Sequence, residues 1–420
     1  MKLLSITICA VLLASGNSFA QEKKISAFKA DTYVNAKISK SRGPKVNVKN
    51  AFKQADEQAL LMLKEVEKVK AEGAKGDFVT PRTLEDGRLK LVPSRDWTSG
   101  FFPGELWFLY EYTGKKMWME QAKIYTAMIE KEQFNGKTHD MGFKVYCSVG
   151  TGYRITKDKH YADVIIQSAK TLATRFNAKT GVIRSWDHGT DKWLNPVIID
   201  NMMNLELLFE ATKLTGDSSF YKVAVSHANT TIKNHFRPDY SSFHVIDYDP
   251  NTGAVLKKNT HQGYSHESAW SRGQAWALYG YTMCYRFTKD PVYLKQAENI
   301  AAFILKHKNM PEDLIPYWDY NAPNIPNEPR DASAAAVITS GLYELSSYSK
   351  NKTFYLQKAD EILNSLSTRY VSRVGENKGF ILLQSTGSKP SNSEVNVPLS
   401  YADYYYLEAL LRCKGLKGKS

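Results

Sequence analysis

From Thr98 onward the chain repeats one pattern five times, and few folds can absorb such a repeat. Each unit opens with small, aromatic or polar residues, runs on as an apolar helix, breaks at a short turn and resumes as a more polar helix. The units span Thr98 to Lys131, Met141 to Phe176, Asp200 to Phe236, Trp270 to His307 and Asp331 to Leu366. Thr113-Gly114, Thr156-Lys157-Asp158, Thr215-Gly216-Asp217 and Thr288-Lys289-Asp290 mark equivalent breaks. A helix from about Val48 to Val69 precedes the repeats, with Ala51, Ala55, Ala59, Met62, Val66 and Val69 along one side. A last apolar helix, about Ser400 to Cys413, follows them and lacks a partner of its own. Pairing the two end helices gives twelve helices in six hairpins. In each hairpin the apolar first helix suits a position packed on both sides, and the polar-faced second suits solvent. The pattern predicts an all-α (α/α)6 toroid in which the loops entering the inner helices converge on one end of a central cavity. An open solenoid is the alternative, disfavoured because the terminal helices complement each other.

The remaining segments bound the domain. Residues 1–20 carry Lys2, an apolar run from Leu3 to Leu13 and the small-x-small ending Ser18-Phe19-Ala20, which reads as a secretory signal peptide too short to span a bilayer. Residues 21–47 are polar, lysine-rich and without periodicity, an irregular lead-in, and residues 48–420 form a single (α/α)6 catalytic domain. An exported, periplasmic protein with no membrane span is therefore expected. The formal net charge of +13 suits acidic partners, polyanionic sugars rather than nucleic acid outside the cytoplasm, unless it is merely spread over solvated lysine-rich faces. Cys147, Cys284 and Cys413 fall in helical patterns and read as core thiols. No HxH, HExxH or cysteine cluster points to a metal, and no motif points to a cofactor.

The loops expected on the cavity rim are rich in aromatic and polar residues, among them Asp96, Trp97, His139, Asp140, Trp186, Asp187, His244, Gln262, Glu267, Trp270, Arg272 and Asp331. Aromatic faces stack on sugar rings while carboxylates and amides read hydroxyls, so a saccharide cleft is the natural interpretation. Asp200 falls at the mouth of the amphipathic helix in NPVIIDNMMNLELLFEATKLTGD, where an aspartate N-cap is the ordinary expectation. Asp140 opens the preceding inner helix, and adjacent hairpins would bring the two acids close. Glycoside cleavage usually takes two carboxyl groups, and the proximity of these two raises one pKa and keeps it protonated near neutrality. Asp96, Asp187, Glu267 and Asp331 compete for the roles, and His139 is either a hydrogen-bond partner of Asp140 or an ordinary rim residue.

The runs HDMGF (His139 to Phe143), NPVIIDNMMNLELL (Asn195 to Leu208) and HQGYSHESAWSRGQAW (His261 to Trp276) together resemble the unsaturated glucuronyl hydrolases of glycoside hydrolase family 88. The likeness reaches the closing NVPLSYADYYYLEALLR (Asn396 to Arg412). Related unsaturated rhamnogalacturonyl hydrolases share the fold, but HDMGF and WSRGQAW look more like the glucuronyl group. The resemblance implies removal of a 4,5-unsaturated uronic acid from the non-reducing end of lyase-generated oligosaccharides, without a cofactor. It implies Asp200 as the catalytic acid/base and Asp140 as its essential partner. It also implies substrate contacts from His244, Gln262, Trp270 and Arg272, with Trp97 and Trp186 stacking and Arg272 suited to the uronate carboxylate or else to a structural ion pair. Ser385, Ser388 and Lys389, in QSTGSKPS, resemble the Ser/Lys cluster some members use for a sulfate group, a flexible loop being the alternative. Disaccharides from sulfated glycosaminoglycans are the expected source. Rival readings are a glycosidase or lyase acting on saturated uronides and a non-catalytic sugar-binding protein of the cell envelope.

Overall fold

The computed structural model describes residues 46–73 and 77–417, so the leader and nearly all of the lead-in lie outside the described residues. Helix α1 (Val48–Ala71) is followed by an antiparallel hairpin of Phe78–Glu85 and Arg88–Pro93. The first repeat gives α2 (Phe101–Thr113) and α3 (Lys116–Ala127). The second gives a wide-turn π-helical segment, Gly142–Gly150, continuing into α4 (Thr151–Thr156), and then α5 (Lys159–Ala173). The later repeats give α6 (Leu205–Thr215) with α7 (Ser218–His235), α8 (Ser271–Thr288) with α9 (Pro291–Lys306), and α10 (Ala332–Ser346) with α11 (Lys352–Arg369). The chain closes with α12 (Ser400–Lys417).

The repeated Thr-x-Asp breaks have one physical cause. The middle residue turns left-handed, with φ of 60° at Lys157, 74° at Gly216 and 58° at Lys289. The aspartate N–H then donates to the threonine hydroxyl behind it, at 3.2 Å for Asp158, 3.0 Å for Asp217 and 3.1 Å for Asp290. The aspartate carboxylate caps the next helix by accepting from His160, Ser219 or Val292. One tripeptide thus ends the inner helix and starts the outer one, which is why the hairpins are legible as repeats.

The inner helices pack in a ring: α2 against the π-helical segment, that segment against α6, α6 against α8, α8 against α10, α10 against α12, and α12 back onto α2. Closure makes the fold an (α/α)6 toroid, and α1 packs on α12 as the outer partner of the last hairpin. Inner helices are buried on nearly every side, as in the unbroken buried run Ser271 to Cys284 of α8. One contiguous hydrophobic cluster reaches from Ala51 to Cys413. Cys147, Cys284 and Cys413 are free thiols buried in it. Among the described residues no helix is long and apolar enough to cross a membrane.

Three expectations need correction. Asp200 caps no helix: α6 begins at Leu205, and Ile199–Asn204 is a tighter 3-10 turn whose N-cap position is Ile198. The turn is pinned to its neighbours by its own amides. The Asn201 side chain donates to the Ile183 carbonyl at 2.9 Å, and Asn204 Oδ1 accepts the Gly142 and Phe143 N–H groups at 2.8 and 3.2 Å. The same Asn204 contact draws on N–H groups at the start of the π-helical segment, where a regular helix was expected; such wide turns recur at functional sites. The rim, moreover, is not all loop. Pro196–Ile198, Val245–Tyr248 and Val255–Asn259 form a three-stranded sheet, and Ser385–Ser388 pairs with Ser393–Val397 as an antiparallel hairpin.

Gly142 sits where the two segments touch, and a Cβ there would lie 2.7 Å from Asn204 Cα. Gly142→Ala is expected to destabilise the protein by roughly 1–3 kcal/mol in urea unfolding; an unchanged midpoint would show that this contact does not hold the segments together.

Candidate active site

At the rim end of the ring lies a cavity of about 160 Å³ whose walls include His139, Asp140, Trp186, Asp200, Gln262, Arg272 and Trp97. A second, larger cavity of about 640 Å³ opens elsewhere in the ring and contains neither aspartate; Phe143 contributes to both. The chemistry therefore belongs to the smaller one, since it holds the two acids that adjacent hairpins were expected to bring together.

The two carboxyls are held in opposite states. Burial acts first on both. For Asp200 it wins: His139 and Arg272 pull the other way, the charge of Asp140 adds to the effect of burial, and the group rises from an ordinary 3.8 to about 7. Asp200 Oδ2 is buried without a hydrogen-bond partner. For Asp140 burial loses, because the charge and hydrogen bond of His139, the Thr138 hydroxyl and the charge of Lys144 together hold it below its usual value. Thr138 donates to Asp140 Oδ2 at 2.7 Å, and His139 Nε2 lies 3.2 Å from Oδ1. His139 is thus the partner of Asp140 and also lines the cavity.

His244 stands behind this pair and is not in the cavity wall. Its Nδ1 accepts the backbone N–H groups of His261 and Gln262, both at 3.1 Å, and burial keeps the ring neutral. With Nδ1 occupied as acceptor the proton must sit on Nε2, which points at Asp200 Oδ2 from 3.7 Å, just beyond hydrogen-bond length. Trp270 is likewise a support: it is buried, 4.5 Å from the His244 ring on one side and 4.5 Å from the Arg272 guanidinium on the other. Gln262 lines the cavity and donates through Nε2 to the Gly387 carbonyl at 3.0 Å, leaving its amide oxygen for a ligand.

Arg272 is a structural ion pair. Nη1 donates to Asp331 Oδ2 at 2.8 Å and to the Thr386 carbonyl at 2.5 Å, and Nη2 donates to the Gly387 carbonyl at 2.6 Å. Its Nε–H is buried with no partner. Asp331 also caps α10, accepting from Ser333 and Ala334, so this competitor for the catalytic role is spent on structure. Asp187 is bound by Arg175 and Asp96 by Arg82. Glu267 is exposed beside Arg237, and none of these four lines the cavity.

The three residues of the expected sulfate cluster are placed differently. Ser388 lines the cavity, whereas Ser385 is wholly buried behind it and Lys389 is not in the wall. Sequence reasoning missed Arg82, Glu394 and Tyr401. Arg82 and Glu394 sit on hairpins that looked like loops, and Tyr401 looked like core; its hydroxyl is buried without a partner in the cavity wall.

A closed helical ring presenting one carboxyl with a raised pKa and one with a lowered pKa to a polar, aromatic pocket defines a glycosidase-type site. Residues 75–414 match the model of Glycosyl Hydrolase Family 88, and the chain belongs to that family. It is 55% identical over 342 residues to an unsaturated glucuronyl hydrolase of Formosa agariphila, covering 81% of this chain and 85% of the relative. It is 33% identical to an unsaturated chondroitin disaccharide hydrolase of Streptococcus pneumoniae, covering 80% and 86%. A crystal structure of an unsaturated glucuronyl hydrolase specific for heparin superimposes with a TM-score of 0.83 at 48% identity, covering 88% of this chain and 98% of that one.

The raised Asp200 carboxyl has a cost that can be read in stability. The folded protein keeps this proton where the unfolded chain has released it, so stability falls as pH climbs from about 4 to about 7, by up to roughly 4 kcal/mol. Asp200→Asn should therefore melt above wild type at pH 8, with the difference vanishing near pH 4; a difference independent of pH would contradict the assignment.

Proposed function

We propose that the protein removes a 4,5-unsaturated uronic acid from the non-reducing end of oligosaccharides released by lyases, with Asp200 as acid/base and Asp140 as its partner. The observation that carries this is the convergence of the two carboxyls on one cavity, where burial pushes Asp200 up and His139 and Thr138 hold Asp140 down. The C4=C5 double bond and the ring oxygen form a vinyl ether. Protonated Asp200 delivers its proton to C4, and an oxocarbenium-like centre develops at C5. The carboxylate left behind then takes a proton from the water that adds there. The resulting hemiketal opens to a C5 ketone and a C1 hemiacetal, and collapse of the hemiacetal to an aldehyde breaks the glycosidic bond and releases the next sugar. Asp140, ionised throughout, can only accept hydrogen bonds, so it holds a ring hydroxyl and its charge keeps Asp200 protonated. The neutral Nε2–H of His244 is placed to meet Asp200 once it ionises.

A uronate carrying its own carboxylate needs a cation. The unpartnered Nε–H of Arg272, and the hydrogen left on Nη2, are the donors available to it in the wall. Trp97 and Trp186 supply aromatic faces for the ring. Polysaccharides of the glycosaminoglycan class are the favoured source: relatives include enzymes named for heparin and for chondroitin disaccharides, and the net charge of +13 suits polyanions. The leader at residues 1–20 supports export to the periplasm, with residues 48–420 acting as one catalytic domain.

Incubation with unsaturated disaccharides should abolish the ultraviolet absorbance of their double bond. Asp200→Asn should lower that rate by about 10²–10⁴-fold; normal turnover would reject the assignment. The wild-type rate should fall as pH rises through about 7, where Asp200 loses its proton. Asp140→Asn removes a charge that raises Asp200, so whatever activity remains should lose its alkaline limb at lower pH. Export is checked by sequencing the N-terminus of the periplasmic protein, with Gln21 expected first; an intact Met1 would exclude cleavage.

A further inference from the structure

Beside the two aspartates, the cavity wall contains a third carboxylate, and three independent features of the chain serve to place it there. Glu394 lies in the strand Ser393–Val397 with a left-handed backbone, φ 55°, flanked by Asn392 at 48° and Asn396 at 57°. Such conformations in residues other than glycine are unfavourable and persist where the surroundings impose them, commonly at binding sites. Across the hairpin, Gly387 has no side chain, and a Cβ there would come within 2.5 Å of Glu394 Oε2. Arg82, from the hairpin after α1, grips both carboxylate oxygens in a planar fork, with Nε to Oε1 at 2.5 Å and Nη2 to Oε2 at 2.9 Å. The Glu394 side chain is only 7% exposed, yet it lines the cavity together with Arg82, Gly387, Ser388 and Ser393.

Charge bookkeeping gives this wall its sign. Arg82 also donates to Asp96 Oδ2 at 2.9 Å, so one guanidinium is shared by two carboxylates and the cluster keeps one net negative charge. The lysine expected to receive a sulfate, Lys389, is not in the wall.

The position of the cluster indicates which part of a ligand it meets. At about 160 Å³ the cavity is smaller than usual ligand pockets and suits a single ring. The sugar attached to that ring must therefore lie across the mouth. The hairpin leads there: Ser385, Thr386 and Gly387 are buried, Ser388 is half-buried, and residues 390–393 are exposed.

Resting on the hydrolase reading above, we propose that Glu394 is a specificity-determining residue. It accepts a hydroxyl of the sugar next to the unsaturated uronate and bars a sulfate ester at that one position. A hydroxyl can donate to the free lone pairs of the carboxylate, whereas a sulfate brings like charge against a wall already one unit negative. Sulfate groups elsewhere on the ligand point to solvent and are tolerated.

The test is a series of unsaturated disaccharides that differ only in the position of one sulfate, assayed by loss of double-bond absorbance. For one isomer the wild-type kcat/KM is expected to be at least tenfold below that of the unsulfated sugar, the other isomers lying close to it. Glu394→Gln keeps the shape and removes the charge; it should bring the disfavoured isomer to within about threefold of the unsulfated one, mainly through KM. Equal losses on every substrate, or unchanged ratios, would reduce Glu394 to a structural residue and overturn the proposal. If Glu394→Gln does not fold, Gly387→Ala displaces the same carboxylate and must narrow the same ratio, an unchanged ratio again being contrary. A ratio that moves with Lys389→Ala but not with Glu394→Gln would assign selectivity to the lysine. A wild-type protein that consumes none of the series would fail the hydrolase reading itself, a different outcome from unaltered selectivity.

Discussion

The burial of Asp200, with Oδ2 left without a hydrogen-bond partner, is the constraint on which the site's electrostatics turn. A carboxylate stripped of water and left unpaired is costly, so the group keeps its proton instead. What makes this useful is the contrast with Asp140, which is half-buried and surrounded by His139, Thr138 and Lys144, and so is held below its usual value. Two aspartates of ordinary chemistry are shifted in opposite directions through their surroundings alone. The proton is available near neutrality because the protein has made its loss expensive, and stability is surrendered in the process.

Ring closure supplies that environment. The 3-10 turn bearing Asp200 and the π-helical segment following Asp140 are joined by Asn204, whose one oxygen accepts two backbone N–H groups across the hairpin boundary. Behind Asp200, two backbone N–H groups dictate the tautomer of His244, and Trp270 packs between His244 and Arg272. Arg272 in turn ties α8 to α10 through Asp331 and to the Ser385–Ser388 strand through two carbonyls. Distant stretches of sequence are thus locked to one another around a single ring-sized space. The Ser385–Val397 hairpin is buried at Ser385 to Gly387 and exposed at residues 390–393.

Much of this was legible in the sequence, for identifiable reasons. The hairpins were readable because Thr-x-Asp ends one helix and caps the next by local hydrogen bonds, so the signal sits within a few residues. The pairing of Asp140 with Asp200 followed from topology, since neighbouring inner helices must begin side by side. The details that escaped depend on long-range contacts. Asp200 looked like a helix cap because nothing local reveals that Asn201 and Asn204 tie its turn to other segments. Trp270 and His244 looked like pocket residues, but they support the pocket from behind, a distinction that only packing makes. Arg82 and Glu394 are 312 residues apart and each is unremarkable in its own stretch. Ser385, Ser388 and Lys389 are close in sequence, but only Ser388 lines the cavity.

The opposed states of the two carboxyls can be observed directly by following carboxyl resonances through a pH titration with carbon-13-labelled aspartate. Burial also raises Asp403, to about 8, so the signal assigned to Asp200 is the one near pH 7 that vanishes from the spectrum in Asp200→Asn, while the Asp140 resonance stays in its ionised position down to distinctly acid pH. If Asp200 titrates with the ordinary surface carboxylates, or if the high-pKa signal belongs to Asp140, the division of labour between donor and partner is wrong.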